Sequence, residues 1–151
     1  MLDSWKHCQG KKGLEIYGWC IMPSHIHMIV GSHLGRLEDI MRDMKRHTSE
    51  MLNAGIRTNP QESRKEWMLL MMEQAGKKNS NNVKFQLWRQ DNHPIALYDH
   101  KILHQKLDYI HNNPVEAGFV EKPEDYLYSS ARDYYGLHGL LDILLVDPLV
   151  V

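Results

Sequence analysis

Two runs rich in apolar and β-forming side chains, Leu14–Met22 and His25–Val30, are separated only by Pro23-Ser24. Proline presets a turn and cannot continue a central strand, so the two runs are predicted to fold back on each other as an antiparallel hairpin. Around it the pattern is helical. Residues 1–10 read as the end of a helix, stopped by Gly10-Lys11-Lys12-Gly13. Leu37, Ile40, Met41, Met44, Met51 and Leu52 recur at helical spacing, with Gly55 as the expected C-cap. A shorter helix is predicted from Glu62 to Gln74, carrying Trp67, Met68 and Met71 and ending at Gly76; its methionines read as core filler. Lys77–Asn82 is a polar loop, and Val83, Phe85 and Leu87 then alternate with Lys84, Gln86 and Trp88 as in a half-buried strand. A helix over Ile95–Asn112 follows Pro94, and the tail from Leu140 to Val151 turns apolar.

The 151 residues are read as one domain over 1–151, with the tail 137–151 the least defined part. A chain of this length buries about two-thirds of its unfolded surface. The formal charge of −1 argues against indiscriminate attraction to polyanions, so nucleic-acid contact has to come from local basic patches. Cys8 and Cys20 form no paired motif and are expected to be reduced. No leader-like succession opens the chain, and no apolar run approaches the ~20 residues of a membrane helix, so a cytoplasmic location is expected.

The chemistry-bearing residues are His25, His27, Tyr109 and Asn113. Strand residues two apart project from one face, so His25 and His27 can offer both imidazoles to a single cation while Ile26 points the other way. Alone, such a pair is as compatible with a structural role. On an ideal helix Leu103, Leu107 and Ile110 make an apolar stripe, and Tyr109 lies about 120° from it, close to Lys106 and Asn113. That face is polar and open to a strand of nucleic acid, although an amphipathic tyrosine with a packed ring and a wet hydroxyl fits the same position. Arg42, Lys45, Arg46 and His47 give the helix beginning at Leu37 a basic face suited to phosphate, or an ordinary solvated one. His104, Asp108 and His111 share a helix side whose spacing also permits metal binding.

Taken in order, His25-Ile26-His27, the helix from Leu37 to Thr48, Trp88-Arg89-Gln90-Asp91-Asn92-His93-Pro94 and Tyr109-Ile110-His111-Asn112-Asn113-Pro114 resemble the HUH single-strand transposases. The resemblance is specifically to the REP-associated tyrosine branch of the one-tyrosine insertion-sequence family, and it extends to about Gly136. The resemblance implies an α+β, ferredoxin-like antiparallel sheet with helices packed on one face. It implies a divalent cation, Mg²⁺ or Mn²⁺, held by His25, His27 and Asn113, with Tyr109 as the nucleophile that forms a 5′-phosphotyrosine. Pro114 biases Asn113 away from helical geometry, so Asn113 is expected just past the helix end, as a ligand or as an Asx-Pro turn residue. Arg42, Lys45, Arg46, Arg89, Lys106 and His111 are the expected DNA contacts, with Ser24, Gln90, Asp91 and His93 lining the path. Tyr126, Tyr128, Tyr134 and Tyr135 are candidates for stacking on bases or for packing. The implied activity is cleavage and rejoining of single-stranded DNA at hairpins. The alternative is a hairpin-binding relative without catalysis; a replication initiator or relaxase fits less well, since those enzymes are larger. The partner is single-stranded or hairpin DNA, and both monomeric and dimeric forms occur in the family.

One departure stands out. The family begins with another strand before its first helix, and here Met1 falls where that helix should be. A missing central strand would leave backbone groups without partners. Either sequence upstream is absent or another segment fills the gap, and the apolar segment after Leu140 is the expected filler.

Overall fold

A computed structural model describes residues 1–79, 84–90 and 94–147. The elements in chain order are α1 (Leu2–Lys12), β1 (Leu14–Ile21), β2 (Ile26–Ser32), α2 (Leu37–Thr58), α3 (Lys65–Lys77), α4 (His100–Glu116), a 3₁₀ turn (Pro123–Asp125) and α5 (Ala131–Tyr134). The class is α+β, as expected, and among the described residues the sheet has two strands. The chain divides into two compact units: Leu2–Ile40 with Ile95–Val151, and Met41–Pro94.

In the first unit β1 and β2 pair antiparallel, from Leu14 opposite Ser32 to Ile21 opposite Ile26. The Met22 amide donates to the His25 carbonyl at 2.9 Å and closes the turn at Pro23-Ser24. A bulge between Ile16 and Gly18 changes which residues face which side. Before it, the fully buried residues are Leu14 and Ile16; after it, Trp19 and Cys20 are both buried, although neighbours in a strand point to opposite faces. Trp19 meets Trp5 of α1 edge-on, ring centroids 5.6 Å apart. Cys20, Met22 and Ile29 instead pack with Leu107 and Ile110 of α4. The two helices therefore take opposite faces of the hairpin rather than sharing one, and β1 is apolar on both sides for that reason. Gly18 faces α4 closely enough that a Cβ there would lie 2.5 Å from Leu107 Cδ2. This contact sets how near α4 comes to the sheet.

The outer edge of β1 is closed from downstream in the sequence. The Ile21 amide donates to the Tyr128 carbonyl, the Ser130 amide to the Trp19 carbonyl and the Leu144 amide to the Ile16 carbonyl, each at 2.9 Å. Hydroxyls complete the edge: Tyr126 donates to the Ile21 carbonyl at 2.9 Å and Tyr134 to the Tyr17 carbonyl at 2.8 Å. Ser130 Oγ accepts from the Trp19 amide at 2.8 Å. The segment after Leu140 thus reaches β1 as anticipated, but among the described residues it does so through the Leu144 amide and not as a strand; most of the edge is covered by residues 126–134.

Several boundaries differ from the sequence reading. α4 starts at His100, not Ile95, because the Asp99 carboxylate caps it, accepting from the amides of Lys101 at 2.7 Å and Ile102 at 3.1 Å. It runs through Pro114 to Glu116, so Asn113 is helical; Pro114 is fully buried, and that packing holds the helix across the missing amide. In the Met41–Pro94 unit, α2 continues past Gly55, spanned by Arg57 Nε donating to Asn53 Oδ1 at 2.8 Å and Thr58 Oγ1 to the Ala54 carbonyl at 3.0 Å. α3 includes Gly76, where the Phe85 backbone comes so near that a Cβ would lie 2.7 Å from it. Residues 84–90 form no strand. In place of an alternation, Phe85, Gln86, Leu87 and Trp88 are all half-buried, with the Gln86 amide on the Met72 carbonyl at 2.8 Å and Trp88 Nε1 on Thr48 Oγ1 at 3.0 Å. Val83 lies outside the described residues.

Candidate functional site

The hairpin places Cys20 opposite His27, and since Cys20 faces α4, so does His27. The His27 ring lies edge-on to the Tyr109 ring, centroids 5.5 Å apart, and edge-on to the His25 ring at 4.8 Å. His25 sits just before β2 yet keeps the same side. Sequence positions far apart are thus joined in one cluster. Tyr109 is 50 % exposed, while Leu107 and Ile110 on either side of it are buried, as the helical stripe predicts. Lys106 Nζ stands 5.9 Å from the Tyr109 ring centroid, a cation over the ring face one turn back along α4.

The polar atoms of the three rings, and of Asn113 one turn beyond Tyr109 on α4, are unevenly satisfied. Ser24 Oγ lies 3.0 Å from His25 Nδ1, which fixes that ring and leaves Nε2 as its outward nitrogen. His27 Nε2 and Asn113 Nδ2 are buried and have no hydrogen-bond partner among the described residues. Buried polar atoms without partners are unusual and call for an explanation; Trp5 Nε1, Trp19 Nε1, Glu124 Oε2 and Asp133 Oδ2 share the condition. Burial, and then the neighbouring His25, lower the His27 pKa, which keeps the imidazole neutral and its lone pair available. The Asn113 amide can present either oxygen or nitrogen by a flip about its last torsion, so the same position offers an oxygen donor. Two imidazoles and an amide oxygen make a fitting set for a divalent cation. Among the described residues no group of three or more His, Cys, Asp or Glu is arranged to bind metal, so the His104, Asp108 and His111 set forms no such site. His104 Nε2 is instead 2.8 Å from the Asp147 carbonyl.

His111 is turned inward. It is 7 % exposed, its Nε2 lies 2.8 Å from Ser130 Oγ, and burial lowers its pKa to about 4. It joins α4 to residue 130 and presents no ring face to a phosphate. Tyr134 likewise packs, against the His111 ring and under the Tyr17 carbonyl. Arg42, Lys45, Arg46 and Arg89 belong to the Met41–Pro94 unit. There Arg42 Nε and Arg46 Nη2 lie 3.7 Å and 3.6 Å from Asp43 Oδ1, and Lys45 Nζ donates to the Arg89 carbonyl at 3.0 Å. Gln90 is exposed, whereas Asp91 and His93 lie outside the described residues. Ser130 escaped the sequence reading altogether, because its partner Trp19 is 111 residues away. Phe119 escaped it too; the signal was the close succession of aromatics at 119, 126 and 128.

The family model described as "Transposase IS200 like" matches residues 2–113, an interval that contains both histidines and Tyr109 and closes on Asn113. No curated protein and no solved structure matches the chain. No helix among the described residues is long and apolar enough to cross a membrane.

Proposed function

Since the chain belongs to the IS200-like transposase family, whose partner is DNA, we propose that it cleaves and rejoins single-stranded DNA at hairpin sequences through a phosphotyrosine on Tyr109. The observation that carries this reading is the edge-on packing of His27 on Tyr109 with His25 alongside. His25 Nε2, His27 Nε2 and the Asn113 amide oxygen would hold Mg²⁺ or Mn²⁺. When bound, the ion supplies positive charge that polarises the phosphate under attack and favours phenolate over a phenol of ordinary pKa near 10.

Each residue then has a definable task. Ser24 holds His25 by its Nδ1, the usual arrangement for a ligating imidazole whose other nitrogen is tied down. α4 fixes Tyr109 beside the histidines, and Lys106 on the adjacent turn meets the phosphate charge as the strand enters. Tyr109 Oη gives up its proton and bonds to phosphorus; the bond from phosphorus to the 3′ oxygen breaks, and that oxygen leaves as a hydroxyl after taking up a proton. The covalent ester conserves the bond energy, so attack by another 3′-hydroxyl reverses the sequence without a nucleotide cofactor. Within the Met41–Pro94 unit, taken by itself, Arg42, Lys45, Arg46 and Arg89 are the proposed phosphate contacts.

The test uses purified protein, a labelled hairpin oligonucleotide with single-stranded flanks, and Mg²⁺ or Mn²⁺. A covalent 5′ adduct is expected from the native protein and none from Tyr109→Phe. His27→Ala should lose both the adduct and Mn²⁺ binding measured by electron paramagnetic resonance. An adduct that survives Tyr109→Phe refutes the nucleophile, and hairpin binding without cleavage under any divalent ion selects a DNA-binding protein without catalysis.

A further inference from the structure

Beside the histidine and tyrosine cluster lies a second group of aromatic rings with no part in the chemistry above. We propose that Phe119, Tyr126 and Tyr128 form a stacking platform for an unpaired base of the DNA strand; this rests on the reading that the chain acts on single strands.

Tyr126 is the fixed floor. Its ring packs on the cluster of Cys20, Met22, Leu107 and Ile110, on the α4 side of the hairpin, and its hydroxyl is bonded to the Ile21 carbonyl. Phe119 lies nearly parallel to it, centroids 6.2 Å apart and planes at 28°, while Tyr128 meets it edge-on at 6.3 Å and 72°. Phe119 remains 53 % exposed and Tyr128 49 % exposed. Neither ring sits on a loose loop: the Phe119 amide donates to the Pro114 carbonyl at the end of α4, and the Tyr128 carbonyl accepts from Ile21. The rings are therefore preorganised, so little order remains to be imposed on binding.

Position points to the occupant. Ile21 pairs with Ile26, the residue between the two histidines, and Tyr128 bonds to Ile21 from the other side. The Tyr128 backbone thus stands two strand spacings, about 10 Å, from Ile26. A strand whose phosphate rests at the histidines brings its flanking nucleotides over this distance. Charge narrows the choice further. Between Phe119 and Tyr128 the chain carries Glu121, Glu124 and Asp125 against Lys122, so it repels phosphate rather than cradling it. What it offers is ring faces, which bind bases of any sequence and only when they are unpaired.

The test measures fluorescence anisotropy without divalent ions, using a labelled 30-nucleotide single strand of randomised sequence and an abasic strand of equal length. Native protein should prefer the base-bearing strand. Phe119→Leu/Tyr128→Leu should weaken that binding about 10- to 100-fold and leave the abasic strand unaffected. Phe119→Trp, which enlarges the stack, should tighten only the base-bearing strand and keeps the test decisive if the double variant folds poorly. Equal affinity of native protein for the two strands, or equal losses on both in the double variant, would overturn the platform. Base-dependent binding without any cleavage leaves the platform standing and removes the catalytic reading; adduct formation with base-independent binding does the reverse.

Discussion

Ser130→Ala tests how the first unit is held together. Ser130 Oγ is fully buried and meets three partners: it accepts from the Trp19 amide at 2.8 Å, lies 3.2 Å from the Trp19 carbonyl and 2.8 Å from His111 Nε2. A single hydroxyl satisfies all of them if its hydrogen goes to the Trp19 carbonyl and its lone pairs take the amide and the Nε2 hydrogen. That carbonyl keeps a second bond, from the Ser130 amide at 2.9 Å. Alanine therefore strands two buried donors, the Trp19 amide and His111 Nε2. Each costs about 1–3 kcal/mol, so a loss of about 2–6 kcal/mol is expected. Amide exchange of β1 followed by mass spectrometry at increasing urea reads the opening free energy of this unit directly. The Trp19 amide, deprived of its acceptor, should lose most protection. In a His111→Phe background only one donor is stranded, so the same substitution should cost less by about 1–3 kcal/mol. A loss below about 0.5 kcal/mol, or an equal loss in both backgrounds, would show that the hydroxyl does not bear this load.

Two further outcomes follow from the packing. Gly18→Ala should destabilise by about 1–3 kcal/mol, because its Cβ meets Leu107 Cδ2, and Leu107→Ala should relieve part of that cost; strictly additive losses in urea unfolding would contradict the close approach. His111 has its pKa lowered from 6.5 to about 4, chiefly by burial and against the opposing pull of Asp108. The unfolded chain takes up this proton first, so its contribution is complete above about pH 6.5 and is lost as pH falls toward 4, up to about 3 kcal/mol. His111→Gln should flatten the decline between pH 6.5 and 4.5 relative to native protein, and unchanged slopes would refute it.

The parts of the fold legible in the sequence are those set by local period. The hairpin, the apolar stripe of α4 and the outward position of Tyr109 all follow from alternation or from a 3.6-residue repeat. Helix ends were less legible. Gly55, Gly76 and Pro114 each look like a stop, yet tertiary contacts carry the helix past all three: side-chain bonds bridge Gly55, the Phe85 backbone requires Gly76, and burial retains Pro114. The alternation around Phe85 and Leu87 imitates a strand, yet Phe85, Gln86, Leu87 and Trp88 are all half-buried, held by bonds to Met72 and Thr48 rather than by a sheet. His111, expected as a DNA contact, is buried for a related reason: its hydrogen-bond partner comes from nineteen residues downstream.

The closure of β1's outer edge has a consequence for how the sequence can drift. Tyr126, Tyr134 and Leu144 reach the strand as separate rivets around one short antiparallel bridge of residues 128–130 on Cys20, rather than as a long ladder. Insertions and deletions between rivets, such as within 136–143, leave every bond on β1 in place. One residue added between Trp19 and Ile21 would send each following side chain to the opposite face and carry His27's cross-strand partner with it. Length variation among relatives should therefore gather in the downstream connections and stop abruptly at the hairpin.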